Sequence, residues 1–484
     1  MSTRTRTLAL LTAALFLPGV TGHAEAPRFA GALATPAVQA ASSAAETQFR
    51  AWLNVFNAGD RARYEAFLRE QFPSRAVRLD GDMNFLGMTG GFDLRKVESV
   101  TATTVTCLVE ERAWEQVARA SVEVEAAPPH RIVRLDVNLV PRPAELAARR
   151  IGDAELAGAV RAKVEAQAAG SRFQGAVLVA RSGKVIYSGA AGLADRENRT
   201  PNTLDTRFRM GSMNKMFTAT SILQLVQAGE VKLDAPLGTY LTDYPNRDVA
   251  TKVTIHHLLT HTGGTGDIFG PQFTARRLEL KTLEDYVKLY GARGLEFEPG
   301  SKWQYSNYGF LLLGVIVERV SGQSYYDYVR DHIFKPAGMT GSGSEPEEVA
   351  VPGRAKGYMQ QKGAWVLNTD TLPYRGTSAG GGYTTVGDLL RFASALTGHV
   401  LLDAKHTALL TAGKVDTGGG DKYAYGFGES LEGGVRSFGH SGGAPGMNGD
   451  LRVFPDSGYV VAALANTGFG ASQVVSWVSE RLPK

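Results

Sequence analysis

The sequence is poor in cysteine, in net charge and in long apolar runs. Cys107 is the only cysteine among 484 residues, which excludes an intramolecular disulfide and any zinc or iron–sulfur site built from cysteines. Lysine and arginine number 52 against 48 aspartates and glutamates, so the chain lacks the excess of positive charge that is typical of nucleic-acid binding. Redox chemistry and a nucleic-acid partner are therefore not expected. We expect Cys107 to be a small core residue in a strand.

An apolar run near the first residue predicts export. Arg4 and Arg6 precede the run at 8–17, and small residues follow around Ala24. The run is shorter than the roughly 20 residues that span a bilayer, and this order of basic, apolar and small residues is typical of a secretory signal peptide. We predict a signal peptide over 1–24 and an exported protein, periplasmic or secreted, without a stable membrane span. An uncleaved anchor is the alternative.

The region 40–143 has the pattern of a small α+β domain. Apolar residues at a helical spacing break at Asn57-Ala58-Gly59 and resume after Asp60, which predicts a helical hairpin. Apolar and polar residues then alternate over 118–125 and 133–139, as in half-buried antiparallel strands. This order of elements resembles the cone-shaped folds of the nuclear-transport-factor-2-like group. The resemblance implies a cone that encloses a ligand or pairs as a dimer, with a packing or spacing domain as the alternative.

The region 150–484 is predicted to be a domain of mixed α/β (α+β) structure with an inserted helical subdomain. Its two ends carry the clearest patterns, namely a helix at 153–169, strands at 175–180, 184–189, 447–454 and 459–466, and a closing helix at 471–482. Terminal strands of this kind could join one sheet. The roughly 250 residues between them are too many for the connections of a simple sandwich, which favours an inserted subdomain.

The first candidate chemical group is Ser212-Met213-Asn214-Lys215. Apolar residues keep a helical spacing after it until Gly229, which places Ser212 at or near a helix N-terminus. Ser212 and Lys215 then share one face of the helix. The amine could accept or relay the serine proton, and the free N–H groups of the helix start could stabilise an oxyanion. The alternative is an N-cap serine followed by a solvated lysine.

Two later motifs carry further candidate groups. Tyr305-Ser306-Asn307 precedes an apolar helix, and the phenol could act as a base near neutral pH if the charge of Lys215 lowered its pKa from about 10. Asn307 could hold a substrate amide. The third motif, Gly439-His440-Ser441-Gly442-Gly443, leads into the terminal strands.

These motifs, in this order, resemble those of the serine β-lactamase and penicillin-binding protein superfamily. The tyrosine of the second motif is similar to that of class C β-lactamases, D-alanyl-D-alanine carboxypeptidases, D-aminopeptidases and β-lactamase-like esterases. The stretches 253–264 and 379–385 are also similar to this group. The resemblance covers residues 150–484 and implies an antiparallel sheet flanked by helices with an inserted helical subdomain.

The resemblance also implies a role for each matching residue. Ser212 would be the nucleophile and Lys215 its activator, and Tyr305 would be the shared general base and acid. Asn307 would position the substrate. The backbone N–H groups of Ser212 and Gly443 would bind the oxyanion.

His440 departs from the β-lactamase pattern, which has a lysine at this position. A histidine titrates near pH 6.5 and is a weaker anchor for a substrate carboxylate than a permanently charged lysine. The substitution puts efficient β-lactam hydrolysis in doubt. A charged His440 would also make kcat/KM for anionic substrates fall as the pH rises past about 6.5 to 7.

Two other interpretations use the same stretches. The third motif also fits the nucleophile elbow of α/β-hydrolases, with Ser441 as nucleophile, but no histidine follows His440 in the sequence as that triad order requires. His257 and His261 lie four positions apart, as a zinc-binding pair does, but no glutamate lies between them.

The sequence thus predicts an exported serine hydrolase that forms an acyl-enzyme on Ser212 without a metal or cofactor. Candidate substrates are small esters or lactams, peptides ending in D-amino acids, and β-lactams. The alternative is a catalytically weak, penicillin-binding-like sensor or binding protein for cell-wall fragments. Every motif follows Ala169, so the N-terminal domain is expected to be dispensable for chemistry. The oligomeric state stays open.

Overall fold

The computed structural model describes residues 43–361, 363–418, 420–432 and 434–483. The predicted signal peptide, 1–24, lies outside these residues. Within the described ranges, we find no helix whose length and apolar character would let it cross a bilayer.

The N-terminal part packs three helices against a four-stranded antiparallel sheet of strand order β1-β2-β3-β4. Its elements are α1 (Ala44–Ala58), α2 (Arg61–Gln71), α3 (Leu79–Thr89), β1 (Phe92–Val100), β2 (Thr104–Glu111), β3 (Val117–Val124) and β4 (Ile132–Leu139). Gly59 ends α1 in the left-handed region with φ +72°, and the Asp60 side chain caps α2, as the sequence predicts. Cys107 is buried in β2. The resemblance to the nuclear-transport-factor-2-like group stays a prediction.

The larger part contains an eight-stranded antiparallel sheet of order β13-β14-β15-β16-β17-β18-β5-β6. The strands of the larger part are β5 (Gly175–Arg181), β6 (Lys184–Ala191), β7 (Leu193–Asp195), β8 (Thr200–Pro201), β9 (Phe208–Arg209), β10 (Tyr358–Gln361), β11 (Ala364–Leu367), β12 (Tyr383–Thr384), β13 (Val415–Gly418), β14 (Asp421–Tyr423), β15 (Gly428–Glu432), β16 (Val435–Ala444), β17 (Met447–Phe454) and β18 (Tyr459–Ala465). The pairs β7-β8, β9-β12 and β10-β11 form separate two-stranded sheets. The C-terminal strand β18 pairs with β5, the first strand of this part. The terminal strands therefore share one sheet, as predicted.

Helices cover both faces of this sheet. They are α4 (Asp153–Ala169), α5 (Asn214–Gln227), α6 (Arg247–Lys252), α7 (Ile255–Leu259), α8 (Pro271–Arg276), α9 (Leu283–Tyr290), α10 (Asn307–Ser321), α11 (Tyr325–Val329), α12 (Lys335–Ala337), α13 (Val386–Thr397), α14 (Ala404–Thr411) and α15 (Ala471–Ser479). Successive side chains of a strand point to opposite faces. Leu178 of β5 accordingly joins the core with α5, α10 and α13, whereas Val177 and Val179 pack with α4 and α15. The predicted α+β architecture with an inserted helical subdomain is confirmed.

The turn between β2 and β3 joins the two parts. Trp114 in this turn is 2% exposed and belongs to the same apolar cluster as α4 and α15. Glu115 pairs with Lys163 at 2.6 Å and with Arg481. Arg142 pairs with residues of both parts. The predicted domain bounds, 40–143 and 150–484, stay a prediction.

Candidate active site

Ser212 lies where strand β16 crosses the start of helix α5. It occupies a short 3-10 turn directly before that helix. A Cβ on Gly442 would lie 1.9 Å from the Met210 carbonyl oxygen, and one on Gly211 would lie 2.6 Å from the Gly443 nitrogen. Glycine is therefore required at both positions for this approach of the two backbones. The approach brings the segments that carry the Ser212 and Gly443 N–H groups side by side.

Lys215 is a fully buried amine on the first turn of α5. Its Nζ lies 3.3 Å from Ser212 Oγ, 2.7 Å from Asn307 Oδ1 and 2.6 Å from the Ala379 carbonyl oxygen. Burial disfavours the charged form and lowers the pKa of Lys215 to about 7, against the opposing effect of Asp267. Near neutral pH a large fraction of this amine is therefore uncharged.

Asn307 links Lys215 to a carboxylate. Helix α10 begins after Ser306, whose hydroxyl accepts a hydrogen bond from the Gly309 N–H at 3.0 Å. The Asn307 Nδ2 donates to Asp267 Oδ2 at 3.2 Å, and its backbone N–H donates to Asp267 Oδ1 at 2.9 Å. Asn307, predicted from the sequence to hold a substrate amide, thus also fixes the Lys215 amine. Asp267 was missed, because it belongs to no motif.

Tyr305 lies against both Ser212 and Lys215. Its hydroxyl forms a hydrogen bond with Ser212, and the Lys215 Nζ lies 4.7 Å from the centre of its ring. Burial raises the pKa of Tyr305 above its ordinary value of 10, and the Ser212 hydrogen bond opposes this less strongly. The condition under which Tyr305 could act as a base near neutral pH, a pKa lowered by the charge of Lys215, is therefore not met. The phenol keeps its proton.

His440 is held in a neutral form. Its Nδ1–H donates to the Ser441 carbonyl oxygen, which leaves Nε2 to accept a hydrogen bond from the Tyr423 hydroxyl at 3.0 Å; this hydrogen-bond network assigns the tautomer. Burial and the charge of Lys215 lower the pKa of His440 to about 3. The expectation of a histidine that titrates near 6.5 and carries a charge for a carboxylate is wrong. Tyr423 was missed, because only the sheet brings β14 near β16.

The geometry also bears on the two other interpretations of these stretches. Ser441 lies within strand β16, opposite Asp450 of β17, whereas an elbow nucleophile stands on a sharp strand-to-helix turn. His257 Nδ1 accepts a hydrogen bond from the Thr254 N–H at 3.2 Å, and His261 Nδ1 accepts one from the Ser306 N–H at 3.1 Å. In both histidines, Nδ1 is therefore engaged in a hydrogen bond with the backbone.

Known proteins match this part of the chain. The sequence model of the Beta-lactamase family matches residues 160–480. Esterase EstB of Burkholderia gladioli is 38% identical over an alignment of 198 residues that covers 37% of this chain and 50% of EstB. The crystal structure of a penicillin binding protein from Bacillus halodurans superposes with a TM-score of 0.61 and 33% identity, over 65% of this chain and 98% of that one. The D-amino acid amidase of Ochrobactrum anthropi SV3 superposes with a TM-score of 0.59 and 25% identity, over 67% and 98%.

Proposed function

This chain belongs to the Beta-lactamase family, and from that premise we propose that it hydrolyses uncharged esters and amides through an acyl-enzyme on Ser212. The chain is a serine hydrolase of this family. Lys215 is the base that activates Ser212, and Tyr305 is the acid that protonates the leaving group. The N–H groups of Ser212 and Gly443 receive the oxyanion.

The hydrogen bonds of Lys215 carry this assignment. A neutral amine has two N–H donors and one lone pair. Two acceptors, Asn307 Oδ1 and the Ala379 carbonyl oxygen, lie within 2.7 Å of Nζ and take both donors. The remaining direction faces Ser212 Oγ at 3.3 Å, which places the lone pair where it can accept the serine proton.

The protons balance over the reaction. Ser212 Oγ attacks the carbonyl carbon and passes its proton to Lys215. As the bond to the leaving group breaks, Tyr305 gives its proton to the departing oxygen or nitrogen, and the Lys215 ammonium restores that proton to Tyr305. In the second half, water attacks the acyl carbon and loses its proton to Lys215. The Lys215 ammonium passes this proton to Ser212 Oγ, which leaves as the hydroxyl, and the acid is released.

The Tyr423–His440 hydrogen bond supports the proposed preference for uncharged substrates. His440 occupies the position where a cation would hold a substrate carboxylate, but its Nε2 accepts from Tyr423 and so carries no proton. A substrate with a free carboxylate beside the scissile bond therefore gains no ion pair from His440 and loses hydration. The likeness to an esterase and to an amidase agrees with this preference.

A matched pair of peptides tests the preference. N-acetyl-D-alanyl-D-alanine and its C-terminal amide differ only in the charge next to the scissile bond. We expect the amide form to be cleaved with a kcat/KM at least about tenfold higher, a difference that corresponds to about 1.4 kcal/mol. Release of D-alanine or D-alaninamide is measured by chromatography. A preference for the free carboxylate would contradict the proposal.

The rival function is a binding protein that is acylated but does not turn over. A short-chain nitrophenyl ester and a chromogenic cephalosporin distinguish the two functions when product release and the intact protein mass are recorded together. Repeated turnover of the ester that depends on Ser212 supports the hydrolase. A stable adduct with one equivalent of product would instead support the binding protein.

The pH dependence tests the base. Because Lys215 must be uncharged to accept the serine proton, kcat/KM is expected to rise with pH through about 7 and then stay level. His440 stays neutral over the same range, so anionic and uncharged substrates should give the same profile. Initial rates between pH 5 and 9 measure this. A descending limb near 6.5 for the anionic substrate alone would mean that His440 carries a charge.

We also propose that the protein is exported. The basic, apolar and small residues of the segment 1–24 support this. N-terminal sequencing of the protein from the periplasm or the medium of the expressing cells tests it, and an intact Met1 at the start of the chain would contradict cleavage.

A further inference from the structure

His261 is a buried histidine that the proposed mechanism does not use. It is 1% exposed and has φ +59°, a left-handed conformation that costs a residue other than glycine of order 1 kcal/mol or more. Such a conformation persists where the surrounding contacts impose it. The contacts of His261 therefore hold its backbone in this conformation.

These contacts bracket Tyr305 along the chain. The His261 carbonyl oxygen accepts a hydrogen bond from the Gln304 N–H at 2.9 Å. Its Nδ1 accepts one from the Ser306 N–H at 3.1 Å. The residue before Tyr305 and the residue after it are thus both bound to the same histidine. Because Nδ1 is an acceptor, the ring proton lies on Nε2.

The ring of His261 also contacts both tyrosines of the site. Its centre lies 4.3 Å from that of the Tyr305 ring and 4.6 Å from that of the Tyr423 ring. Burial and the nearby Lys215 keep the pKa of His261 well below 6.5, so the ring adds no charge that would repel the Lys215 ammonium. The neutral His261 ring therefore packs against both Tyr305, which contacts Ser212, and Tyr423, which contacts His440.

We propose that His261 is a positioning residue that aims the Tyr305 hydroxyl at the leaving group. The inference rests on the proposed function, in which Tyr305 supplies the proton when the bond to the leaving group breaks. An alkoxide or amide anion needs that proton, whereas 4-nitrophenolate is stable without it. A displaced Tyr305 should therefore slow ethyl esters far more than nitrophenyl esters of the same acid.

Two substitutions of His261 in the full chain separate the contribution of its aromatic ring from that of its Nδ1 acceptor. His261→Phe keeps an aromatic ring and loses the Nδ1 acceptor. His261→Asn keeps an acceptor for the Ser306 N–H and tolerates the left-handed backbone, but it loses the ring. The matched control is His257→Asn, because His257 Nδ1 also accepts a backbone N–H, that of Thr254.

The readout is the ratio of kcat for the ethyl ester to kcat for the nitrophenyl ester. We expect His261→Phe to lower kcat for the ethyl ester about 30-fold or more and for the nitrophenyl ester less than about fivefold, with KM within about twofold. His261→Asn should recover part of the ratio and still leave it at least about fivefold below that of the unchanged protein. His257→Asn should leave the ratio unchanged.

Equal losses for both esters in the two His261 variants, or a rise in KM alone, would overturn the inference and make His261 an ordinary core residue. If His261→Phe does not fold, His261→Asn decides the question, because loss of the ring must still lower the ratio. Failure of the proposed function looks different: the Ser212→Ala protein would retain turnover of both esters.

Discussion

Replacing Ser212 with alanine is expected to lower kcat for an ester at least about 10⁴-fold, and replacing Lys215 with methionine should cost nearly as much. In the proposed mechanism the two side chains act in one step, because Nζ lies 3.3 Å from Oγ and takes the proton that Oγ loses. The double variant should therefore be no slower than Ser212→Ala alone. Single-turnover and steady-state rates at pH 8, where Lys215 is mostly uncharged, measure these losses.

The matched controls test whether the losses are specific. Lys232→Met removes an exposed lysine just after α5 and should leave kcat unchanged. Ser441→Ala removes the serine that would be the nucleophile in the elbow interpretation and should cost far less than Ser212→Ala. A Ser441 variant without activity, beside an active Ser212 variant, would instead support the elbow interpretation. Losses that multiply in the Ser212 and Lys215 double variant would show that the two groups act in separate steps.

Local patterns in the sequence predicted much of the fold. Alternating apolar residues marked β3 and β4, and the break at Gly59 with a cap at Asp60 marked the first two helices, because period and capping are properties of neighbouring residues. The third helix of the N-terminal part, α3, was missed. Its sequence includes two glycines and few residues at a clear helical period, so packing against the sheet decides its conformation.

In the candidate site, too, the sequence predicted the local relations between residues but not the long-range ones. The first motif predicted that Ser212 and Lys215 lie together, because residues three positions apart at the start of a helix are neighbours. Asp267 and Tyr423 reach the site only through long-range packing, from 40 residues before Asn307 and 17 before His440. No motif marks either residue. Their positions follow from the folded chain alone.

Protonation states were the least predictable property of the site. The interpretation of the sequence started from the ordinary pKa values of Tyr305 and His440, and Tyr305 could act as a base only if the charge of Lys215 lowered its pKa. The structure buries Lys215 fully and Tyr305 and His440 in part, and desolvation is the first cause of each pKa shift. Burial favours the neutral form of every group. These directions support our proposal that the base is the amine, whose pKa falls, and not the phenol, whose pKa rises.

The N-terminal domain is expected to matter for folding and not for chemistry. Trp114 lies in the turn between β2 and β3 and belongs to the cluster of α4 and α15, on the face of the sheet opposite Ser212. Lys163 and Gln167 of α4 contact the same turn, through Glu115 at 2.6 Å and through the Ala113 carbonyl oxygen at 2.8 Å. A chain that starts near Arg150 would expose this apolar surface and leave these polar groups without their partners.

Trp114→Ala is therefore expected to lower the free energy of unfolding by about 3–5 kcal/mol, the usual cost of removing a fully buried tryptophan. Urea unfolding followed by circular dichroism measures this in the full chain, with Val77→Ala, a 91% exposed position of the same domain, as the control within about 0.5 kcal/mol. The folded Trp114 variant should keep kcat/KM within about twofold. A loss below about 1 kcal/mol would show that the two parts fold independently. A folded variant with a large loss of kcat would instead show that the N-terminal domain shapes the active site through the sheet.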